Sequence, residues 1–269
     1  MAHRFVTLLT DFGLEDDFVG TCKGVIKRIA PEVEVIDITH GIPPQQVLQG
    51  ALVLANTLRY MPAAVHVAVV DPGVGSERRA LVLRAREHVF VGPDNGLLLV
   101  AAERIGGVDE AVEIANERLV LQPKSQTFHG RDVFAPVGAH VASGLSLAEV
   151  GPALDPATLA RLPVPEPTVG DSRIRVTVLY VDRYGNVQVS ATADDLAQAG
   201  IDTGARVELD VGFESYFATV ASTFADVRAG DILVYEDSYR NLAVAINGGN
   251  AAEMLSAEPG REIRIRLAP

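Results

Sequence analysis

The stretch His66–Arg79 reads HVAVVDPGVGSERR. β-favouring residues run from His66 to Val70 and stop at Asp71. Pro72-Gly73-Val74-Gly75 then leads to Arg78 and Arg79. Two readings compete. Asp-Pro-Gly makes a β-turn unaided, because Pro presets φ and Gly supplies a positive φ. An acid closing a buried strand, a Gly-rich turn and a following arginine also compose a ligand site. The surrounding chain decides between them.

Upstream, Phe5–Leu9 reads as a buried strand ending in Thr10-Asp11-Phe12-Gly13, and Val33–Ile38 as a second ending near Thr39-His40-Gly41. Between them Asp16 and Asp17 open a helix, whose first turn favours acids. Its apolar row is Val19, Cys22, Ile26 and Ile29. Pro43 and Pro44 start another helix, with Val47, Ala51, Leu54 and Leu58 at helical spacing. With His66–Val70 as the third strand, this alternation predicts right-handed βαβ units, hence an α/β domain with a mainly parallel sheet flanked by helices. Downstream, Ala80–Arg84 and His88–Val91 add strands and Leu97–Ile105 a short helix. Another helix, carrying Val133, Val137 and Val141, follows Phe128–Asp132, with Pro136 as a kink or early-turn residue.

Prolines 152, 156, 163, 165 and 167 then mark an extended linker. Beyond it, Arg173–Val181, Val187–Ser190, Arg206–Val211, Ile232–Tyr235, Leu242–Ile246 and Ile263–Leu267 read as short strands, with one clear helix at Asp194–Ala199. The expected organisation is an α/β domain over 1–151, a linker over 152–170, and a smaller all-β domain, barrel or sandwich, over 171–269.

The 269 residues are 48% hydrophobic and 22% charged, enough for a large core in one or two domains. A net charge of −12 with no basic half or tail argues against nucleic acid as a partner. The single cysteine, Cys22, excludes an internal disulfide and fits a reducing compartment, and its apolar row makes it core rather than nucleophile. No apolar run approaches the ~20 residues of a membrane helix. MAHRFVTLLTDFG has too short an apolar stretch for a signal peptide, so a cytoplasmic location is expected.

Ligands of open α/β sheets bind beyond the carboxyl ends of the strands. Those ends carry Asp11, His40, Asp71 and Asp94. Each alone is an ordinary cap or turn former; four together predict a polar rim. Phosphate is disfavoured, since neither GxxxxGK[ST] nor a GxGxxG opening a helix occurs. Asp11, Asp16, Asp17, His40, Asp71, His129 and Asp132 are metal-ligand types, but no HxH, HxxxH or HExxH spacing supports them, and no metal is expected. All six histidines precede the linker. Among them His129, in Thr127-Phe128-His129-Gly130-Arg131-Asp132, reads either as an acid–base group or as a helix-entry residue bonding local backbone. In the second domain, Val181-Asp182-Arg183-Tyr184-Gly185-Asn186-Val187 reads as a hairpin turn or as a loop that holds a nucleoside. Glu236–Asn241 and Asn247–Asn250 are further polar clusters.

TDFG (10–13), DITHGIPP (37–44), VVDPGVGSERR (69–79), GPDNGLL (92–98), TFHGRD (127–132), VDRYGN (181–186) and TFADV (223–227) occur in this order. Together they resemble the S-adenosylmethionine hydrolases, or S-adenosylmethionine hydroxide adenosyltransferases, which are relatives of the adenosyl fluorinase and chlorinase. The resemblance spans nearly the whole chain. It implies hydrolysis of S-adenosylmethionine to adenosine and methionine without metal or cofactor, in a homotrimer with sites between neighbouring subunits. It places a catalytic set on Asp71, Arg78 and His129, and a ribose-holding acid on Asp11. Further substrate contacts fall on Asp182, Asn186, Ser238, Tyr239 and Asn247. The position after Ser238 is often arginine in halogenating relatives, whereas this chain has Tyr239.

Two other functions are weighed against hydrolysis. A halogenase is disfavoured because halogenating relatives put an aromatic residue at the position of Asp71, where a buried carboxylate repels halide. The fluorinase's insertion also has no counterpart between Arg79 and Gly96. A protein that binds adenosine or S-adenosylmethionine without turnover is disfavoured by the Asp71, Arg78 and His129 set. On this reading Asp71→Ala is expected to lower turnover far more than stability.

Overall fold

The computed structural model describes residues 2–268, which form two compact units dividing between Leu162 and Pro163. The first is built on six strands: β1 (Phe5–Thr10), β2 (Glu34–Thr39), β3 (Ala64–Val69), β4 (Ala80–Ala85), β5 (His88–Pro93) and β6 (Glu110–Glu113), in the sheet order β2-β1-β3-β5-β4-β6. β2, β1, β3 and β5 run parallel, as the strand–helix alternation predicts. β4 is antiparallel to both β5 and β6, so the sheet is mixed rather than mainly parallel. The cause is local. Ala85 pairs with His88 across a two-residue turn with Arg86 at φ 53°, and so short a connection joins only antiparallel neighbours.

Five helices cover this sheet: α1 (Phe18–Ile29), α2 (Val47–Thr57), α3 (Leu97–Arg104), α4 (Ala135–Ala142) and α5 (Leu147–Val150). Alternating side chains sort the strands onto two cores. Leu8, Val67 and Val69 pack with Ile26 of α1 and with Val137 and Val141 of α4. Leu9, Ala68 and Val70 pack with Leu54 of α2 and with Leu97 and Leu98 of α3. Every residue of β3 is buried, which explains its unbroken apolar run. Helix α2 begins at Val47, after the prolines expected to open it, and Pro136 lies in the first turn of α4, where its missing N–H breaks no bond. The first part of the Pro-rich stretch belongs to this unit. Leu154, Leu159 and Leu162 join the second core, and Arg79 Nη2 donates to the Thr158 carbonyl at 2.6 Å.

The second unit has strands β7 (Thr168–Gly170), β8 (Arg173–Val181), β9 (Val187–Val189), β10 (Arg206–Val211), β11 (Glu214–Val220), β12 (Ile232–Glu236), β13 (Leu242–Ile246) and β14 (Glu262–Leu267). Seven close into a barrel in the order β14-β10-β11-β12-β13-β9-β8, with β14 pairing back onto β8 and β7 added outside β8. This resolves barrel against sandwich. Ile174, Val176, Ile263 and Ile265 point inward, while the alternating Arg173, Arg175 and Arg264 are exposed. Helix α6 (Ala193–Gln198) lies where the sequence predicts one. Strand β11 escapes the sequence reading because Glu214, Ser215 and Phe217 are exposed and only Ala218 and Val220 are fully buried.

Candidate active site

Asp71 leaves the carboxyl end of β3 and Val70 at the start of a doubly turned loop. The Val74 N–H donates to the Asp71 carbonyl at 3.2 Å, and the Ser76 N–H to the Gly73 carbonyl at 3.1 Å. Ser76 Oγ then accepts from the Arg78 N–H at 3.3 Å. The loop therefore returns Arg78 to Asp71 as a fork: Nε to Oδ1 at 3.1 Å and Nη2 to Oδ2 at 2.5 Å. Only 6% of the Asp71 side chain and 11% of Arg78 are exposed, so the pair is largely stripped of water, where planar bidentate contact is strongest. The guanidinium also sits 5.2 Å above the centre of the Phe134 ring.

Arg78 carries the chain of contacts onward. Its Nη2 lies 2.8 Å from His129 Nδ1. A guanidinium only donates, so Nδ1 accepts and the imidazole is neutral with its proton on Nε2. Burial first, and then the charge of Arg78, hold the His129 pKa below the ordinary 6.5. Nε2 is buried and has no partner among the described residues, leaving one N–H to be met by a ligand.

The segment bearing His129 is shaped by Asp132. This buried carboxylate accepts from the Ser125 N–H at 2.8 Å and from Arg131 Nε and Nη2 at 2.6 and 2.8 Å. A wide π turn over Gly130–Phe134 follows, a form that recurs at functional sites. Phe12, Phe18 and Phe128 meet edge-to-face beside it.

The other rim residues have more local duties. Asp11 Oδ2 accepts from the Gln45 N–H at 3.0 Å, and Gln45 has a left-handed φ of 67°. His40 Nδ1 lies 2.8 Å from Thr10 Oγ1, and its Nε2 faces Asp37 Oδ1 at 3.1 Å. Asp94 is paired to Arg79. Asp17 accepts from the Thr21 hydroxyl at 3.0 Å. Among the described residues no three His, Cys, Asp or Glu side chains converge as a metal site. Asp71 and Asp132 are both committed to arginines.

In the barrel unit, two loops share the pattern Asp-Xaa-Tyr-Xaa-Asn. Asp182 Oδ1 accepts from the N–H groups of Tyr184 and Asn186 at 2.8 and 2.9 Å, and its Oδ2 from Asn186 Nδ2 at 2.8 Å. Asp237 Oδ1 accepts from the N–H groups of Tyr239 and Asn241 at 2.8 and 3.0 Å. The fourth residue has a positive φ in each, Gly185 at 80° and Arg240 at 66°. Ser238 is exposed and Tyr239 half-buried on the second loop. Tyr235 lies near both loop acids. Burial, followed by the charges of Asp182 and Asp237, pushes its pKa up to about 12. Phe224 tilts against it at 5.1 Å and stays 37% exposed. Neither ring stood out in the sequence. The signal was TFADV: Thr223 and Asp226 cap the turn that displays Phe224. Asn247 has a structural duty, its Nδ2 donating to the carbonyls of Phe224 and Val227 at 3.0 and 2.9 Å.

A buried carboxylate–guanidinium–imidazole chain beyond the strand ends of an α/β sheet is the apparatus of an enzyme that orients a small polar reactant. Family models confirm and narrow that class. The SAM hydroxide adenosyltransferase N-terminal domain matches residues 6–151, and the C-terminal domain of the same name matches residues 176–264. The chain belongs to this family. It is 48% identical to an (R)-S-adenosyl-L-methionine hydrolase of Salinispora tropica, covering 97% of each chain. It is 28% identical to a fluorinase of an Actinoplanes species, over 99% of this chain and 98% of that one. Among solved structures, an uncharacterized conserved protein from Thermotoga maritima matches at a TM-score of 0.90 and 41% identity, over 97% of this chain and 99% of that one.

Proposed function

We propose that the protein hydrolyses S-adenosyl-L-methionine to adenosine and L-methionine by in-line attack of water on the ribose 5′ carbon. The observation that carries the mechanism is the continuous Asp71–Arg78–His129 contact chain, in a chain whose near relatives bear the hydrolase name. A C5′–O bond forms while the C5′–S bond breaks, and the bonding pair returns to sulfur, leaving neutral methionine. The sulfonium departs without protonation, so the protein need only place the water.

Arg78 cannot act as a base; its remaining N–H capacity stabilises developing hydroxide character, and Asp71 fixes the guanidinium plane. His129 acts as a donor at Nε2. As a base there it would have to present an Nδ1–H to Arg78, hydrogen against hydrogen. The water's proton passes to Asp71 or to solvent as the oxygen becomes the adenosine hydroxyl. Asp11 has one carboxylate oxygen left for ribose hydroxyls. The α/β unit supplies the catalytic set. The barrel unit supplies Asp182, Asn186, Ser238 and Tyr239 for the rest of the substrate, with Phe224 and Tyr235 as an aromatic face for a flat base. Asn247 then acts indirectly, by holding Phe224. The expected assembly is a homotrimer with sites between neighbouring subunits, and the expected location is the cytoplasm; no helix among the described residues is long and apolar enough to cross a membrane.

Incubation of the pure protein with S-adenosylmethionine, followed by chromatography, tests this reading. Adenosine and methionine should appear at the same rate with chelator or added chloride. A 5′-chloro product would make it a halogenase, loss to chelator a metal hydrolase, and retention without product a binding protein. Sedimentation equilibrium tests the trimer.

A further inference from the structure

The motif Gly92-Pro93-Asp94-Asn95-Gly96 fastens both ends of the loop that carries Asp71 and Arg78. Asn95 Nδ2 donates to the Val70 carbonyl at 2.8 Å, one residue before Asp71. Its Oδ1 accepts from the Leu97 N–H at 3.2 Å, at the start of α3. Asp94 holds the other end, one residue after Arg78. Its N–H donates to the Arg79 carbonyl at 3.0 Å, its Oδ2 accepts from Arg79 Nε at 2.8 Å, and Arg79 Nη2 completes the ion pair at 2.6 Å. Its Oδ1 accepts from the Ala160 N–H at 2.9 Å. Val70 lies past the last paired residues of β3, so its buried carbonyl has no sheet partner and depends on the side chain. Gly92 makes the approach possible: a Cβ there would lie 2.3 Å from the Ala68 carbonyl oxygen.

We infer that Asn95 is a positioning residue for the hydrolysis. With Asp94 it sets the separation of the two loop ends, and hence the register of Asp71 against Arg78. The inference rests on the proposed hydrolase reading. Asp71 and Arg78 depend on each other for their geometry, and Asn95 and Asp94 tie down the two ends of the loop that carries them. An error of about 1 Å in such a pair costs on the order of 10²-fold in rate.

The test is steady-state kinetics of Asn95→Ala and Asn95→Asp, well below their melting temperatures. A core variant, Ile26→Val, serves as a stability control. Asn95→Asp keeps the acceptor for Leu97 and loses the donor to Val70. The expected result is a fall in kcat of roughly ten- to a hundredfold for both, with KM within about threefold and Ile26→Val unchanged in kcat. Wild-type kcat in either Asn95 variant, or failure of both to fold, would overturn the inference and leave Asn95 a fold residue. If the wild-type protein forms no adenosine, the hydrolase reading falls and this inference with it; an active wild type with unaffected variants removes this inference alone.

Discussion

His129 is held in one protonation state by its neighbour, and that has a measurable consequence. Below its lowered pKa, a proton on Nδ1 would face the Arg78 guanidinium and break the 2.8 Å contact. Turnover is therefore expected to stay level from about pH 8 down to about 6.5 and to fall under more acid conditions. A pH–rate profile of kcat checks this, and an optimum on the acid side would contradict it. At Asp71 the buried ion pair adds a stability cost to the expected loss of turnover. Its fork with Arg78 is nearly dry, and removing one partner of a buried ion pair costs roughly 3–5 kcal/mol. Asp71→Asn should thus abolish most turnover and also lower the melting temperature by several degrees, measurable by calorimetry. An unchanged melting temperature would mean that water reaches the pair.

Among elements, the 71–79 loop and the 122–129 segment meet at Gly75. This residue has a φ of 78°, and a Cβ there would lie 2.6 Å from the Gln126 carbonyl oxygen. Gly75→Ala carries about 1–2 kcal/mol of left-handed strain and also pushes on the segment that bears His129. Gly200, at φ 72° with open space around it, isolates the strain. Gly200→Ala should lose stability with normal kcat, while Gly75→Ala should lose both. Equal kcat in the two variants would show that the 122–129 segment yields without disturbing His129.

At the scale of the molecule, acid sensitivity should start with the histidines of the first unit. His66 is fully buried, with Nδ1 2.7 Å from Thr7 Oγ1 and Nε2 2.9 Å from His88 Nδ1, and its ring stacks on Phe90. Burial, and then the neighbouring His88 and His3, lower its pKa to about 3. The pKa values of His3, His88, His129 and His140 shift the same way. Because folded values lie below the unfolded 6.5, the unfolded chain binds the extra protons. This stability is complete above about pH 6.5 and is lost as pH falls toward the folded values. Urea melts at about pH 7, 6 and 5 should show a falling midpoint before most carboxylates titrate. A flat midpoint would place these histidines in contact with water.

The chain by itself determined whatever depends on near neighbours. The buried runs at Phe5–Leu9 and His66–Val70, the helical rows of α1 and α2, and the acid after β3 are all legible, because each follows from residues a few positions apart. The antiparallel β4–β5 turn is equally local: no helix separates the two strands, so the alternation that implies parallel order upstream ends there. Tertiary structure decided the rest. Barrel closure joins β8 to β14 across most of the second unit. Asn95 reaches back 25 residues to Val70, and Arg78 meets His129 across 51. No periodicity encodes such pairs, since they exist only once both cores have brought their loops together. So Asp71, Arg78 and His129 were nameable as types beside strand and helix ends. Which nitrogen of His129 accepts from Arg78, and what ties the loop at its base, follow from packing alone.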